Sequence, residues 1–225
     1  MVFRSAAVSA LLLSCLPVFA QTAASQNPNV PKIFRDAALA VTYSYPSEFT
    51  AEKITASPKK DPATPRCVQS TLSGGSTSKL GSSVFVLSTM DDACPGVLLN
   101  ASKQLGPFTK EQILRQLKGY GTPVVMQEPV RYSIEGHPAA VTMGSAQASD
   151  AKPGKTPVTT YAAKACVLGN VAVKATKTEP AQPTKHVLCL DFTTQQRDLL
   201  PLILGFTIQF DEGKPQSLVP GNILR

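Results

Sequence analysis

Apolar and polar residues alternate along much of the chain with the period of two that is typical of β-strands. Val41, Tyr43 and Tyr45 alternate with smaller or more polar neighbours, and Pro46 follows directly. Successive side chains of a strand point to opposite faces of a sheet, so this pattern predicts a half-buried strand that ends at the proline. Other short apolar runs predict further strands: "CVQSTLS", "SSVFVLSTM", "VVMQEPVRYSI", "AAVTMGSA", "VTTYAAKACVL", "VAVKATKT" and "HVLCLDFTT".

The connections between these runs are short and contain glycine, proline or serine. Gly136 accepts positive backbone angles and Pro138 restricts His137 to extended conformations, so "EGHP" predicts a turn that joins residues 131–134 to residues 139–142. Gly169 and Asn170 are a two-residue hairpin signal. The chain from residue 123 onward therefore predicts an antiparallel meander.

One stretch has clear helical spacing. Ile113, Leu114 and Leu117 fall on one stripe and predict a helix over residues 109–120. Thr109 and Gln112 form a possible capping box at its start. The preceding "VLLNASKQL" is a second, weaker helical pattern.

The end of the chain combines a helical pattern with a final strand. The apolar spacing in residues 199–204 is amphipathic, although an interior proline such as Pro201 removes a backbone donor and clashes with the previous turn. Phe206, Ile208 and Phe210 alternate as in a last strand. The proline- and glycine-containing residues 213–225 are expected to form a loose tail.

Composition supports a globular protein made of many short strands. The chain has 225 residues, 43% of them hydrophobic, with 19 prolines and no tryptophan. We expect one α+β domain over residues 33–212, in which an antiparallel sheet is covered by helices. Residues 21–32 are small and polar and predict a flexible leader.

The first twenty residues have the features of a secretory signal peptide. Arg4 precedes an apolar run, and Val18 and Ala20 provide a cleavage site before Gln21. The run is too short to span a bilayer, so no transmembrane span is expected in the mature chain. An alternative is a lipoprotein box that ends in Cys15, which would anchor the protein to the envelope. The sequence thus predicts export to the periplasm or the extracellular space.

Four cysteines remain after the predicted cleavage, an even number that is typical of disulfides in an exported protein. They are Cys67, Cys94, Cys166 and Cys189, and their spacings fit neither a zinc ribbon nor a redox CxxC pair. Three pairings are possible, of which we predict Cys67 with Cys94 and Cys166 with Cys189, because each pair is closest in sequence. A strict meander with "VAVKATKT" as the middle strand would hold Cys166 and Cys189 too far apart, so this bridge predicts either that the strand does not lie between the other two or that a bend brings them together.

Charge gives little indication of a partner. The net charge is +7, and removal of Arg4 with the signal peptide lowers it by one. Lysines fall singly, Lys164 among them, without aromatic interleaving, so nucleic-acid binding is not expected and a solvated face is the simplest interpretation.

Candidate catalytic and metal-binding residues are few. No GxSxG elbow or phosphate loop occurs, and His137 and His186 are far apart in the sequence. We therefore expect no catalytic residues, no metal site and no cofactor. His137 is expected to be an exposed turn residue; a minority hypothesis places it on a ligand-contact rim, because loops at hairpin tips often carry function.

Three stretches together resemble the Mog1/PsbP/DcrB-like superfamily of secreted or lumenal domains. They are "RDAALAVTYSYPSEF", the hairpin "VRYSIEGHPAAV" and the final "GFTIQF". The resemblance implies a Mog1/PsbP-like sandwich and a role as an accessory or assembly factor rather than an enzyme. The two candidate disulfides and the missing metal-ligand cluster depart from the plant photosystem proteins, which puts a manganese or calcium role in doubt.

The sequence accordingly predicts an exported, noncatalytic envelope binding or accessory protein with a protein or envelope partner. Two alternatives stay open: a secreted hydrolase with a dispersed site, and a lipid-anchored envelope component.

Overall fold

The computed structural model describes residues 30–37, 39–54, 69–76, 82–91, 102–148, 157–172, 183–210 and 213–223. These residues form one α-helix, α1 (Ser102–Leu117), and two 3-10 helices, Lys118–Tyr120 and Arg197–Gly205. The strands of the described residues are β1 (Lys32–Asp36), β2 (Val41–Tyr45), β3 (Thr50–Lys53), β4 (Gln69–Ser76), β5 (Ser83–Asp91), β6 (Thr122–Ile134), β7 (His137–Gln147), β8 (Thr159–Ala172), β9 (Pro183–Thr194), β10 (Thr207–Phe210) and β11 (Gln216–Ser217).

Some predicted features lie outside the described residues. These are the signal peptide, Cys15, the leader up to residue 29, and both Cys67 and Cys94 with the bridge predicted between them. Their predictions stand as sequence-based expectations.

The strands form two antiparallel sheets. The large sheet has seven strands in the order β3-β4-β5-β9-β8-β7-β6, and the small sheet has four in the order β1-β2-β10-β11. The run β6-β7-β8-β9 is an antiparallel meander, as predicted, but β8 pairs directly with β9, so no separate "VAVKATKT" strand lies between them. Residues 171–172 of that stretch belong to β8, and residues 173–178 lie outside the described residues. The fold is α+β, as predicted. Helix α1 packs on one face of the large sheet, whereas the small sheet and the 3-10 helix Arg197–Gly205 pack on the other.

The main core lies between the two sheets. Val41, Tyr43 and Tyr45 of β2 are buried there, which confirms the predicted alternation of that strand. Phe85 and Phe206 pack edge to face within an aromatic cluster, with ring centroids 4.9 Å apart. We call this side of the large sheet the sandwich face.

Helix α1 packs on the opposite face, which we call the helix face. Ile113 and Leu117 are fully buried against alanines of β7 and β8. Gly144 of β7 makes the close approach possible, because a Cβ atom at that position would lie 2.7 Å from Leu117 Cδ1. The predicted stripe of the helix is thereby confirmed.

The start of α1 corrects the predicted capping box. Thr109 lies inside the helix, where its Oγ1 donates a hydrogen bond to the carbonyl oxygen of Gly106 at 2.8 Å. Leu105 and Phe108 are buried beside the disulfide cysteines, so the apolar stripe continues upstream of the predicted boundary. Tertiary burial of these side chains, rather than a local cap, sets where the helix lies.

Gly169 and Asn170 do not form the predicted hairpin. Strand β8 runs through both, and they pair with His186 and Lys185 of β9. The prediction failed because β9 pairs with the residues before and after the glycine along β8, so the chain stays extended.

Residues 213–223 are part of the fold and not the expected loose tail. Strand β11 pairs with β10, and Leu218, Val219 and Ile223 are buried in the core between the sheets. Sparse apolar residues among prolines and glycines gave no periodic signal, yet each fills a place in the core. Upstream, the Pro201 region adopts a 3-10 helix, in keeping with the weakness expected of an α-helix there.

Candidate functional site

A groove runs along the helix face of the large sheet because α1, the α-helix of the described residues, is too narrow to cover seven strands. A seven-stranded sheet is about 29 Å wide, whereas a helix with its side chains measures about 10 Å across. Helix α1 contacts β6, β7 and β8. Beyond it, Val84 of β5 points to the same face with 44% of its surface exposed.

The groove has a volume of about 350 Å³. Strands β4 and β5 supply part of its floor and α1 supplies one wall, with charged residues of β8 and β9 between them. The lining residues are Ser70, Val86, Ser88, Met90, Gln112, Arg115, Gln116, Lys164 and Asp191. The volume falls at the lower end of the range of small-molecule sites, and the lining mixes hydroxyls, amides and charges with two apolar side chains.

A buried ion pair lies in this lining. Lys164 Nζ donates hydrogen bonds to both carboxylate oxygens of Asp191, at 2.6 and 2.8 Å. The side chains of Lys164 and Asp191 are only 8% and 17% exposed. Two charges at such depth are costly to desolvate, and a buried ion pair often contributes less stability than apolar residues of the same volume.

The register of the sheet explains how the two charges meet. Lys164 and Asp191 are direct cross-strand partners of β8 and β9, and Val86 of β5 is the next residue in the same row. On the other side of Lys164 the row continues to Thr142 of β7, whose hydroxyl lies 2.8 Å from that of Thr109 in α1. The pair therefore lies in a row of cross-strand neighbours that runs from β7, beneath α1, to β5 in the floor of the groove.

The neighbouring row of the same face contains the disulfide. Cys166 and Cys189 are directly opposite each other on β8 and β9 with Cα atoms 4.2 Å apart, which confirms the predicted pairing. The bridge forms because β8 and β9 are adjacent, with no strand between them. The next residue in this row is Ser88, which lines the groove.

Side chains of α1 form a polar wall. Gln116 Nε2 donates to Thr193 Oγ1 at 2.9 Å, which ties the helix to β9 beside the ion pair. Arg115 reaches Glu111 at 2.6 Å one turn earlier on the helix. Both members of that second pair are more than half exposed, so Arg115 is held weakly at the rim.

The groove can hold charge but shows no ligand set for a metal. Among the described residues, no group of three or more His, Cys, Asp or Glu side chains is placed to bind a metal ion. In the same part of the chain, no helix is long and apolar enough to cross a membrane. The groove therefore offers hydrogen bonding together with the Lys164–Asp191 pair and the cation of Arg115 at its rim.

His137 lies on the other side of the large sheet. The predicted turn is confirmed: Glu135 and Gly136 have φ angles of 49° and 84°, and Ile134 pairs with His137 across it. The imidazole is half-buried against Phe210 of the small sheet, with ring centroids 4.2 Å apart. It is thus a packed residue rather than the exposed turn residue that we expected, and it is not part of the groove.

The sequence interpretation missed both residues of the ion pair. Lys164 was expected on a solvated face, but it is buried and paired with Asp191. The signal was present in "YAAKACVL" and "HVLCLDFTT", where one charge interrupts a strand that is apolar on both faces. A lone charge in such a strand must be paired, because an isolated buried charge is far too costly.

Comparisons with known proteins give likenesses of fold only. The solution structure of cyanobacterial PsbP (CyanoP) from Synechocystis sp. PCC 6803 has a TM-score of 0.47 and 8% identity, over 82% of this chain and 96% of that chain. The crystal structure of LpqN from Mycobacterium tuberculosis, which is described as involved in cell envelope biogenesis, has a TM-score of 0.41 and 14% identity, over 82% of this chain and 87% of that chain.

Sequence comparisons add nothing further: no protein-family model matches the chain, and no curated protein is significantly similar to it. At these TM-scores, membership of the superfamily stays a prediction, and neither neighbour indicates a function for this chain.

Proposed function

We propose that this chain is an exported, noncatalytic binding protein and that the groove beside α1 is its ligand site. The observation that carries the proposal is the Lys164–Asp191 pair in the lining of an open groove. Such a pair gives little net stability to the fold. Its presence in a groove that a ligand can enter is therefore better explained by a role in ligand recognition than by a role in folding.

Two observations support export. The predicted signal peptide directs the chain out of the cytoplasm, and the Cys166–Cys189 bridge fits an oxidising compartment such as the periplasm or the extracellular space. Both are compatible with the envelope accessory role expected from the sequence, in which the bound ligand would be part of an envelope component or partner.

A noncatalytic role is supported by how the polar groups of the groove are used. Serine nucleophiles need a neighbouring general base. Among the groups that line the groove, the amine of Lys164 is the candidate for such a base. Its Nζ, however, donates hydrogen bonds to both carboxylate oxygens of Asp191. His137, which a hydrolase with a dispersed site would bring beside a serine, packs against Phe210 on the opposite face.

The test is a map of ligand-induced shifts in the ¹H–¹⁵N spectrum of the protein. The probes are separate additions of L-leucine, D-glucose, acetate and putrescine, which represent a zwitterion, a neutral polyol, an anion and a cation. We expect at least one probe to shift the amides of Ser88, Gln116, Lys164 and Asp191 in a saturable manner. The proposal is wrong when none of the four shifts these amides, or when all shifts fall near His137.

A further inference from the structure

We infer that the groove recognises a zwitterion, namely a free α-amino acid or an equivalent ligand that carries an ammonium and a carboxylate group close together. The inference rests on the proposed function of the groove and names the class of ligand it takes. It is carried by the charge arrangement at Lys164 and Asp191, and by the groups that surround them.

The two protein charges are adjacent and of opposite sign, with Lys164 Nζ 2.6 Å from Asp191 Oδ1. An α-amino acid carries its own two charges on a single carbon atom. When the ligand carboxylate lies at Lys164 and the ligand ammonium lies at Asp191, the four charges alternate in a closed ring. Each charge then has neighbours of opposite sign, and the assembly has no net charge to be taken out of water.

Ligands with one charge fit this arrangement poorly. A simple anion at Lys164 would place a second negative charge beside the Asp191 carboxylate, and a simple cation at Asp191 would place a second positive charge beside Lys164. Neither ligand brings the opposite charge that would offset this repulsion and the cost of its own desolvation. The preformed pair therefore selects against both ligands.

A neutral polar ligand would gain hydrogen bonds but no charge interactions. The serine hydroxyls and glutamine amides of the lining can serve such a ligand, but both charges of the buried ion pair would stay unused. A zwitterion uses the ion pair and the hydroxyls together. The ion pair therefore favours a zwitterion over a sugar.

The rest of the groove suits an aliphatic side chain and a second contact to the carboxylate. Val86 and Met90 provide apolar surface, and the volume of about 350 Å³ is small. Arg115 lines the same groove, and its exposed bond to Glu111 is weak enough to exchange for a ligand carboxylate. L-leucine combines these features and is the probe that we would use.

The experiment is calorimetric titration of the purified protein with L-leucine and its three blocked forms. N-acetyl-L-leucine lacks the ammonium charge, L-leucinamide lacks the carboxylate, and N-acetyl-L-leucinamide lacks both. We expect saturable binding of leucine to one site. Each singly blocked form should bind roughly thirtyfold more weakly or worse, because each leaves one member of the buried pair without its new partner.

The matched protein variants are Lys164→Met and Lys110→Met. Lys110 of α1 forms a far more exposed ion pair with Glu128 of β6, and neither residue lines the groove. Lys164→Met should abolish leucine binding and Lys110→Met should leave it unchanged. Should Lys164→Met fail to fold, the blocked ligands on the wild-type protein still decide the question.

Several outcomes would overturn the inference. Equal binding of leucine and either singly blocked form would show that one charge suffices. Equal leucine binding by Lys164→Met and wild type would place the ligand elsewhere. When leucine fails to bind but glucose, acetate or putrescine shifts the groove amides, the zwitterion is excluded and the proposed binding function stands. When nothing binds, both proposals fall.

Discussion

Removal of Lys164 alone should be far more harmful than removal of the whole ion pair. In Lys164→Met the carboxylate of Asp191, which is 17% exposed, stays buried without its cation. In the double variant Lys164→Met/Asp191→Leu both charges are gone, and apolar side chains of similar length fill their place. The contrast between the two variants measures what the pair contributes.

The expected magnitudes follow from the geometry of the pair. Unit charges about 3 Å apart attract by roughly 5.5 kcal/mol at an effective dielectric constant of about 20. The desolvation of each ion costs several kcal/mol in the opposite direction, so the intact pair is near neutral for folding. We therefore expect Lys164→Met to lower the free energy of unfolding by about 3–5 kcal/mol, and the double variant to lie within about 1 kcal/mol of wild type or above it.

The assay is urea unfolding followed by far-ultraviolet circular dichroism, since the chain has no tryptophan for fluorescence. Lys110→Met is the control, and the loss of its exposed pair with Glu128 should cost less than about 1 kcal/mol. The reasoning is refuted when Lys164→Met loses no more stability than the control. It is also refuted when the double variant loses as much as both single variants added together.

Four further predictions test the fold around the groove. Leu117→Ala should lower the free energy of unfolding by about 2–5 kcal/mol, because Leu117 is fully buried between α1 and the sheet; an unchanged urea midpoint would show that this stripe is not packed. Gly136→Ala should cost about 1 kcal/mol or more, because its φ angle is 84°, whereas Gly119→Ala should cost nothing, since no atom lies within 4 Å of its Cβ position; equal effects would refute the turn geometry. Replacing Cys166 and Cys189 by alanine should cost about 3 kcal/mol for a loop closed over 23 residues, and non-reducing peptide mapping of the wild type that found both thiols free would contradict the bridge. Burial raises the pKa of Tyr43 and Tyr132 above the ordinary 10.0, so the folded state keeps protons that the unfolded chain loses. Urea titrations should show that this contribution to the free energy of unfolding is full below about pH 10 and falls above it. A free energy of unfolding that stays constant to about pH 11 would be contrary to the burial of both hydroxyls.

Local patterns predicted those parts of the fold in which neighbouring residues alone decide the conformation. The alternation of Val41, Tyr43 and Tyr45 gave the strand β2, and Gly136 gave the turn before β7. The start of α1 was missed because burial of Leu105 and Phe108 against the disulfide, a long-range contact, extends the helix. Leu218 likewise becomes part of the core only because β11 pairs with β10.

The groove could not be predicted from any single segment. It exists because α1, the α-helix of the described residues, lies over β6, β7 and β8 rather than over β4 and β5, and no local pattern encodes which strands a helix covers. The ion pair could have been suspected. A lysine in one doubly buried strand and an aspartate in another are each unfavourable alone, and their distance from the disulfide is the same, two residues, on both strands.

The most direct test of the account is calorimetric titration of L-leucine into wild type and into the folded double variant Lys164→Met/Asp191→Leu. The account predicts saturable binding at one site in wild type and no measurable binding in the double variant, whose stability matches or exceeds that of wild type. Equal binding by both proteins, or none by wild type, would contradict the claim that this ion pair recognises a zwitterionic ligand.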